Sequence, residues 1–193
     1  IGNGTSHHSG MIGKKILEQM VGIPVETAIS SEFPYSHGPL DDRHLVIVLS
    51  QSGETADTIT ALKTAKAYGC PVIAITNKRQ STVSRKADCT IYTEAGPELA
   101  VAATKAYTSQ ITALILLAIW LTEKRQGPGR DMIPELLAAL RQLPEEVEKT
   151  LVMTHDAIDE FAQVTDDQNT LFLIGRGLDY VLALEGALKL QEV

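Results

Sequence analysis

Cysteine, aromatic residues and basic charge are all scarce in this chain of 193 residues. Its two cysteines, Cys70 and Cys89, form no CxxC pair, and each lies beside an expected strand. That excludes a disulfide scaffold and a thiolate metal centre, and it reads as two reduced, buried thiols. The five histidines show no ligand spacing. His7 and His8 are adjacent, so on a helix they project to different sides, and His37, His44 and His155 stand alone. No metal site is expected. Lysine and arginine number 17 against 24 acidic residues, a net charge of −7. No basic stripe offsets it, which excludes nucleic acid as the default partner. Long apolar runs are missing too. The longest, Ile111 to Leu121, is too short for a bilayer and is closed by Glu123-Lys124-Arg125, so it reads as a buried helix. No signal-peptide pattern opens the chain. These absences lead to the expectation of a soluble, acidic, cytoplasmic protein with neither membrane nor nucleic-acid partner.

What is present is an alternation of short apolar runs and helical patterns. Hydrophobic residues make up 44% of the chain, enough for a globular core. Ile1-Gly2 looks like the clipped end of a strand, and further strands are expected over 25–30, 45–49, 71–76 and 90–93. Helices are expected over 7–20, 54–68, 81–87 and from 99 or 101 to about 125. Gly69 takes the position after the helix end, with Pro71 beyond it. Such alternation implies a parallel sheet with right-handed crossovers. The expected fold is α/β, a flavodoxin-like three-layer αβα sandwich with a five-stranded parallel sheet in the order 2-1-3-4-5. In that order the loops after strands one and three diverge at a switch point.

Residues 44–60 are the most informative stretch. The run Leu45 to Leu49 ends at Ser50, the turn Ser50-Gln51-Ser52-Gly53 follows, and a helix pattern starts at Glu54. A helix start offers free N–H groups and a positive dipole end. Beside it stand the hydroxyls of Ser50, Ser52 and Thr55. A phosphate suits such a place. The loop has no P-loop lysine, so a small phosphorylated metabolite fits better than a nucleoside triphosphate. The plainer reading, Ser52 or Gly53 as an N-cap with Glu54 and Asp57 complementing the dipole, uses the same helix end and is compatible with it.

The segment Gly2-Asn3-Gly4-Thr5-Ser6 holds a G-x-G, but the third glycine of a dinucleotide fingerprint is absent. It reads as a hydroxyl-lined turn facing a polar ligand, or as a turn that needs both glycines. Gln126-Gly127-Pro128-Gly129 breaks the pattern and marks a boundary. Helices over 132–142 and from 144 to about 164 follow, then a strand over 170–174 and a helix from about Tyr180. Ile174-Gly175-Arg176-Gly177 repeats Ile1-Gly2-Asn3-Gly4, and Gly186 repeats Gly13 at the same offset. The expected domains are 1–126, with its first strand clipped, connecting helices over 127–168, and over 169–193 the truncated beginning of a second copy. Lys189 and Glu192 share a helix face, and Glu185 can also reach Lys189. An ordinary solvated pair and a proton-transfer pair both fit that spacing.

These residues resemble the sugar isomerase (SIS) family over nearly the whole chain. The anchors are Gly4-Thr5-Ser6, Ser50 to Thr58, Ala95-Gly96-Pro97-Glu98, Thr104-Lys105-Ala106, and Ala183 to Leu190 with Glu192. The Ala-Gly-Pro-Glu and Glu-Gly-Ala-Leu-Lys-Leu strings are similar to the branch that makes amino-sugar phosphates. The resemblance implies an enzyme acting on fructose-6-phosphate or glucosamine-6-phosphate, without a cofactor, as a homodimer. It implies that Ser50, Gln51, Ser52 and Thr55 hold the phosphate, that Thr5 and Ser6 contact the sugar chain, and that Val101 lines the pocket through its backbone. Glu192 would be the base that moves a proton between C1 and C2, and Lys189 the cation beside the developing enolate. Ala103 and Asn3 depart from the family's usual serine and cysteine. The family's ring-opening histidine and Schiff-base lysine match nothing up to Val193, so this segment alone is expected to be inactive. A deaminase or deglycase of the same family, and a sugar-phosphate sensor without catalysis, share most of these motifs.

Overall fold

Three apolar runs pair as strands in the computed structural model, which describes all of residues 1–193. They are β1 (Val46–Ser50), β2 (Val72–Thr76) and β3 (Cys89–Tyr92), parallel and in the order β1-β2-β3. Val46 lies opposite Val72, and Ile73 opposite Cys89. The helices are α1 (Thr5–Val21), α2 (Ala56–Ala67), α3 (Thr82–Lys86), α4 (Lys105–Arg125), α5 (Ile133–Thr165) and α6 (Leu178–Glu192). Strand side chains alternate between two faces. Val46, Val48, Val72 and Ala74 pack with Ala61, Leu62, Ala65 and Val83 of α2 and α3. Leu49 and Ile75 pack with Ala113 and Leu114 of α4, which lies along α1. Covering both faces explains why β1 and β2 are apolar throughout rather than alternating.

The expected five-stranded sheet appears as three strands and a bridge. Ile1 N donates to Ile47 O and Leu49 N donates to Ile1 O, both at 2.8 Å. On its other side Gly2 bridges Ile29 in parallel, with Ser30 N donating to Gly2 O at 3.0 Å. The 25–30 run is reduced to this bridge because its only partner is two residues long. The expected strand over 170–174 forms no ladder. No strand lies beside it, and Phe172 and Ile174 stay exposed.

Several boundaries move. The helix expected from Glu54 starts at Ala56, with Thr55 rather than Ser52 or Gly53 as its N-cap. The serines bond within the turn instead: Ser50 Oγ accepts from Gly53 N at 3.0 Å and Ser52 Oγ from Glu54 N at 3.2 Å. The helix expected from 99 or 101 starts at Lys105, because Glu98 turns back to accept from Thr104 N and Ala106 N. The 21-residue α4 is long and apolar enough to span a bilayer, yet Ala113, Leu114, Leu117 and Ala118 are buried inside the protein. The two helices expected around Pro144 are one, α5, with the proline inside it. The missing bond and ring clash cost about 3 kcal/mol, and flanking turns rich in Ala, Leu, Glu and Lys outweigh it. Cys70 is buried as expected, but Cys89 is exposed at the sheet edge.

The repeat has a structural counterpart. Gly4 (φ 49°, ψ −127°) and Gly177 (φ 63°, ψ −119°) both precede a helix in a conformation closed to L-residues with a side chain. A Cβ on Gly2 would lie 2.9 Å from His7 N, five residues on, and one on Gly175 2.7 Å from Tyr180 N, also five residues on.

Candidate active site

Parallel pairing sets the chain directions that build the site. Ile1 and β1 run side by side, so the turns after Gly4 and after Leu49 leave the same edge of the sheet. Asn3 spans the two: its Oδ1 accepts from Ser30 N at 3.0 Å, and its Nδ2 faces Asp57 Oδ2 of α2 at 3.5 Å.

One wall is the β1–α2 turn. Ser50 is buried, and its Oγ lies 3.5 Å from Thr55 Oγ1. Gln51 contributes its carbonyl inward, accepting from Asn77 N at 3.1 Å and from Thr76 Oγ1 at 3.3 Å. That pins the turn to β2. Thr55 is exposed at the mouth of α2, where no side chain caps the first N–H groups. Gly53 has φ 61°, and a Cβ added to it would lie 2.6 Å from Cβ of the buried Ser81, which N-caps α3. The Glu54 carboxylate accepts from Thr82 N at 2.9 Å, and hydrogen bonding first to the Thr82 side chain and then to its backbone holds it below the usual carboxylate range. The turn is therefore braced from two sides, with its outer face open.

The other wall joins α1 to α6. Thr5 and His8 lie three residues apart on one face of α1, and Glu185 and Lys189 four apart on α6. Thr5 Oγ1 donates to Glu185 Oε1 at 2.9 Å, and His8 Nδ1 lies 2.6 Å from Glu185 Oε2. Lys189 Nζ donates to Thr5 Oγ1 at 3.0 Å and to Glu192 Oε2 at 2.6 Å. Glu185 Oε1 is 3.4 Å from the same ammonium. Burial alone would lower Lys189, but its bond to Glu192 and the charge of Glu185 outweigh it and hold the ammonium above the ordinary lysine range. Two carboxylates thus share one fixed cation. Glu192 keeps an open side, while Glu185 is buried.

The structure brings Thr5, Lys189 and Glu192 into one cluster and gathers Ser50, Gln51, Ser52 and Thr55 in the neighbouring turn. Ser6 is buried, and its Oγ accepts from Gln110 Nε2 of α4 at 3.0 Å. Val101 is 87% exposed in the irregular stretch before α4 and touches neither wall as a side chain. Two hollows elsewhere share no residue with either wall, one lined by Lys14, Lys15 and Arg176, the other by Ile91, Leu116 and Trp120. No group of three or more metal-ligating side chains is present.

Sequence reasoning missed His8, Tyr107 and Gln110. Glu185 was visible only as a second neighbour of Lys189. Gln110 lies 104 residues from the Ser6 it binds, and its Oε1 is buried without a partner, as is the Tyr107 hydroxyl. No periodicity marks such a long-range polar contact. His8 carried a usable signal, since it sits one turn after Thr5.

Comparison with known proteins shows the family and the fold. The profile described as the SIS domain matches residues 1–120. Over 190 residues the chain is 47% identical to a glutamine–fructose-6-phosphate aminotransferase [isomerizing] of Clostridium perfringens and 48% identical to one of Caldanaerobacter subterraneus. Each match covers 98% of this chain but 31% of the relative, so the chain spans about a third of the length of these proteins. Among solved structures, the C-terminal domain of glucosamine-fructose-6-phosphate aminotransferase from Francisella tularensis superposes with a TM-score of 0.94 at 32% identity, over 100% of this chain and 54% of that one. A putative phosphosugar isomerase from Silicibacter pomeroyi gives 0.78 at 30% identity, over 98% and 55%. With its profile matched across more than half of its length, and its strand–turn–helix motif at the sheet edge, the chain belongs to the SIS domain family.

Proposed function

We propose that this chain is the sugar-phosphate-binding isomerase segment of a glutamine–fructose-6-phosphate aminotransferase, which converts fructose-6-phosphate to glucosamine-6-phosphate with nitrogen from glutamine. The observation that carries this is the Thr5–Lys189–Glu192 cluster standing at the same sheet edge as the Ser50–Thr55 turn. The phosphate takes the open N–H groups of α2 and the hydroxyls of Ser50, Ser52 and Thr55. Thr5 and Ser6 meet the sugar chain, and the backbone at Val101 closes the crevice. With ammonia from glutamine condensed at C2 of the open-chain ketose and water lost, Glu192 removes a proton from C1 and returns it to C2, while the C1 hydroxyl proton passes to the imine nitrogen. The electron pair passes through an enolate, whose oxygen Lys189 faces with a fixed positive charge. Relatives at 42–48% identity bearing this enzyme's name support the assignment.

The same reading extends to architecture. The contacts of Ile1 with β1 and of Gly2 with Ile29 favour the strand order 2-1-3-4-5. The matched glycine geometry at Gly4 and Gly177 favours a second copy of the domain beginning near residue 169, after connecting helices over 127–168. The site is completed across a homodimer in the cytoplasm. The test uses the full-length protein. Glu192→Gln keeps shape and one hydrogen-bonding oxygen but loses the base, so fructose-6-phosphate should still bind while exchange of the C1 proton with solvent stops. Exchange at the parent rate in this variant would reject the mechanism.

A further inference from the structure

Glu185 is the most enclosed charge in the cluster, and the proton transfer proposed above gives it no task. It cannot be the transferring base, because it is buried and both its oxygens are engaged: Oε1 by Thr5 and Lys189, Oε2 by His8. A carboxylate only accepts hydrogen bonds. His8 Nδ1 must therefore carry its proton and donate. The imidazole side chain is 14% exposed and that of Glu185 8%, so water competes little for either. Without that donor, Glu185 would hold a half-satisfied buried charge with one strong partner in reach, the Lys189 ammonium. At 3.4 Å that ammonium already stands just beyond its hold on Thr5 and Glu192.

We infer that His8 is a positioning residue for the isomerisation, resting on the function proposed above. By saturating Glu185 Oε2 through its Nδ1–H, it keeps Lys189 in its 2.6 Å bond to Glu192, with only a longer 3.4 Å contact to the buried carboxylate. The geometry is directional. His8 and Thr5, on successive turns of α1, grip the two oxygens of Glu185 from one side, leaving Lys189 one turn further along α6 to face outward. The charged and titratable groups facing this pair are Lys189, Tyr107 and the neighbouring His7, and none of them occupies Glu185 Oε2. When His8 is truncated, Lys189 closes on Glu185 and lets go of Glu192. Substrate grip at the Ser50–Thr55 turn is untouched, so the loss falls on turnover rather than on binding.

Two variants of the full-length protein and one spectroscopic measurement test this. His8→Ala should lower kcat for isomerisation roughly tenfold, since small misplacement of a reacting group costs up to about a hundredfold, with KM changed less than about twofold. His8→Gln, whose amide can donate to Glu185, should recover most of that loss. Selective nitrogen NMR of the histidines should show a proton on His8 Nδ1. Parent kcat in His8→Ala, no recovery in His8→Gln, or a parallel fall of kcat, substrate affinity and melting temperature would each overturn the proposal. So would the opposite tautomer. The NMR result reads the clamp without any turnover. An unmoved tautomer with no isomerase activity in the parent would therefore reject the enzymatic reading, and with it the kinetic role of His8, while leaving the contact itself established.

Discussion

Gly53→Ala offers a test of how the phosphate turn is held. Gly53 sits at φ 61°, where an alanine pays about 1 kcal/mol for the left-handed conformation. Its new Cβ would lie 2.6 Å from Ser81 Cβ and 2.9 Å from Thr76 Oγ1. Neither neighbour yields easily. Both are fully buried, and Ser81 caps α3 by accepting from Ser84 N. Forcing a methyl into such a packed place costs about 1–3 kcal/mol. The sum is about 2–4 kcal/mol, read by urea unfolding with Trp120 fluorescence as the signal. The same strain moves Ser50 and Ser52, so binding of a sugar phosphate should weaken by at least about tenfold, or about 1.4 kcal/mol. Adding Ser81→Gly removes the clash with Ser81 and leaves the Thr76 contact and the conformational part, so the pair should be less destabilised than the sum of the single variants. A Gly53→Ala protein within about 0.5 kcal/mol of the parent, an ordinary surface effect, would refute the bracing argument.

The remaining tests concern the hydroxyls. Changing Ser52 and Thr55 together to Ala should weaken sugar-phosphate affinity at least about tenfold, and unchanged calorimetric affinity would remove the phosphate from this turn. Tyr107 is pushed up to about 12, first by burial and then by the charge of Glu185. An unfolded tyrosine ionises near 10, so between about pH 10 and 12 the folded state holds the extra proton and stability falls as pH rises. In spectrophotometric titration Tyr107 should ionise last of the five tyrosines. Tyr107→Phe should abolish that late step and make stability less steep over the same window, and a titration identical to the parent's would contradict its burial.

The order of elements could be read from local pattern. Apolar runs of five residues bounded by Gly, Pro and Ser gave β1 and β2, and the Ser50-Gln51-Ser52-Gly53 string announced the turn before α2. Lys189 and Glu192 were paired by helical spacing alone. These features depend on neighbours a few residues away, where geometry follows from the helix and strand periods. The misses were of two kinds. Pro144 was read as a break because local propensity ignores what the flanking turns supply. The strand over 170–174 was read from composition, yet a strand exists only if another lies beside it.

By itself the sequence determined the strand–helix alternation, the glycines that only a left-handed or crowded turn can require, and the kinds of side chain available at the crevice. The tertiary structure alone decided which of them meet. It carried Glu185 across 177 residues to His8 and 180 to Thr5, and set Gln110 against Ser6. Hydrogen bonds and buried charges act over about 3 Å in space and are blind to distance along the chain. Their partners appear only after the sheet has ordered its loops at one edge.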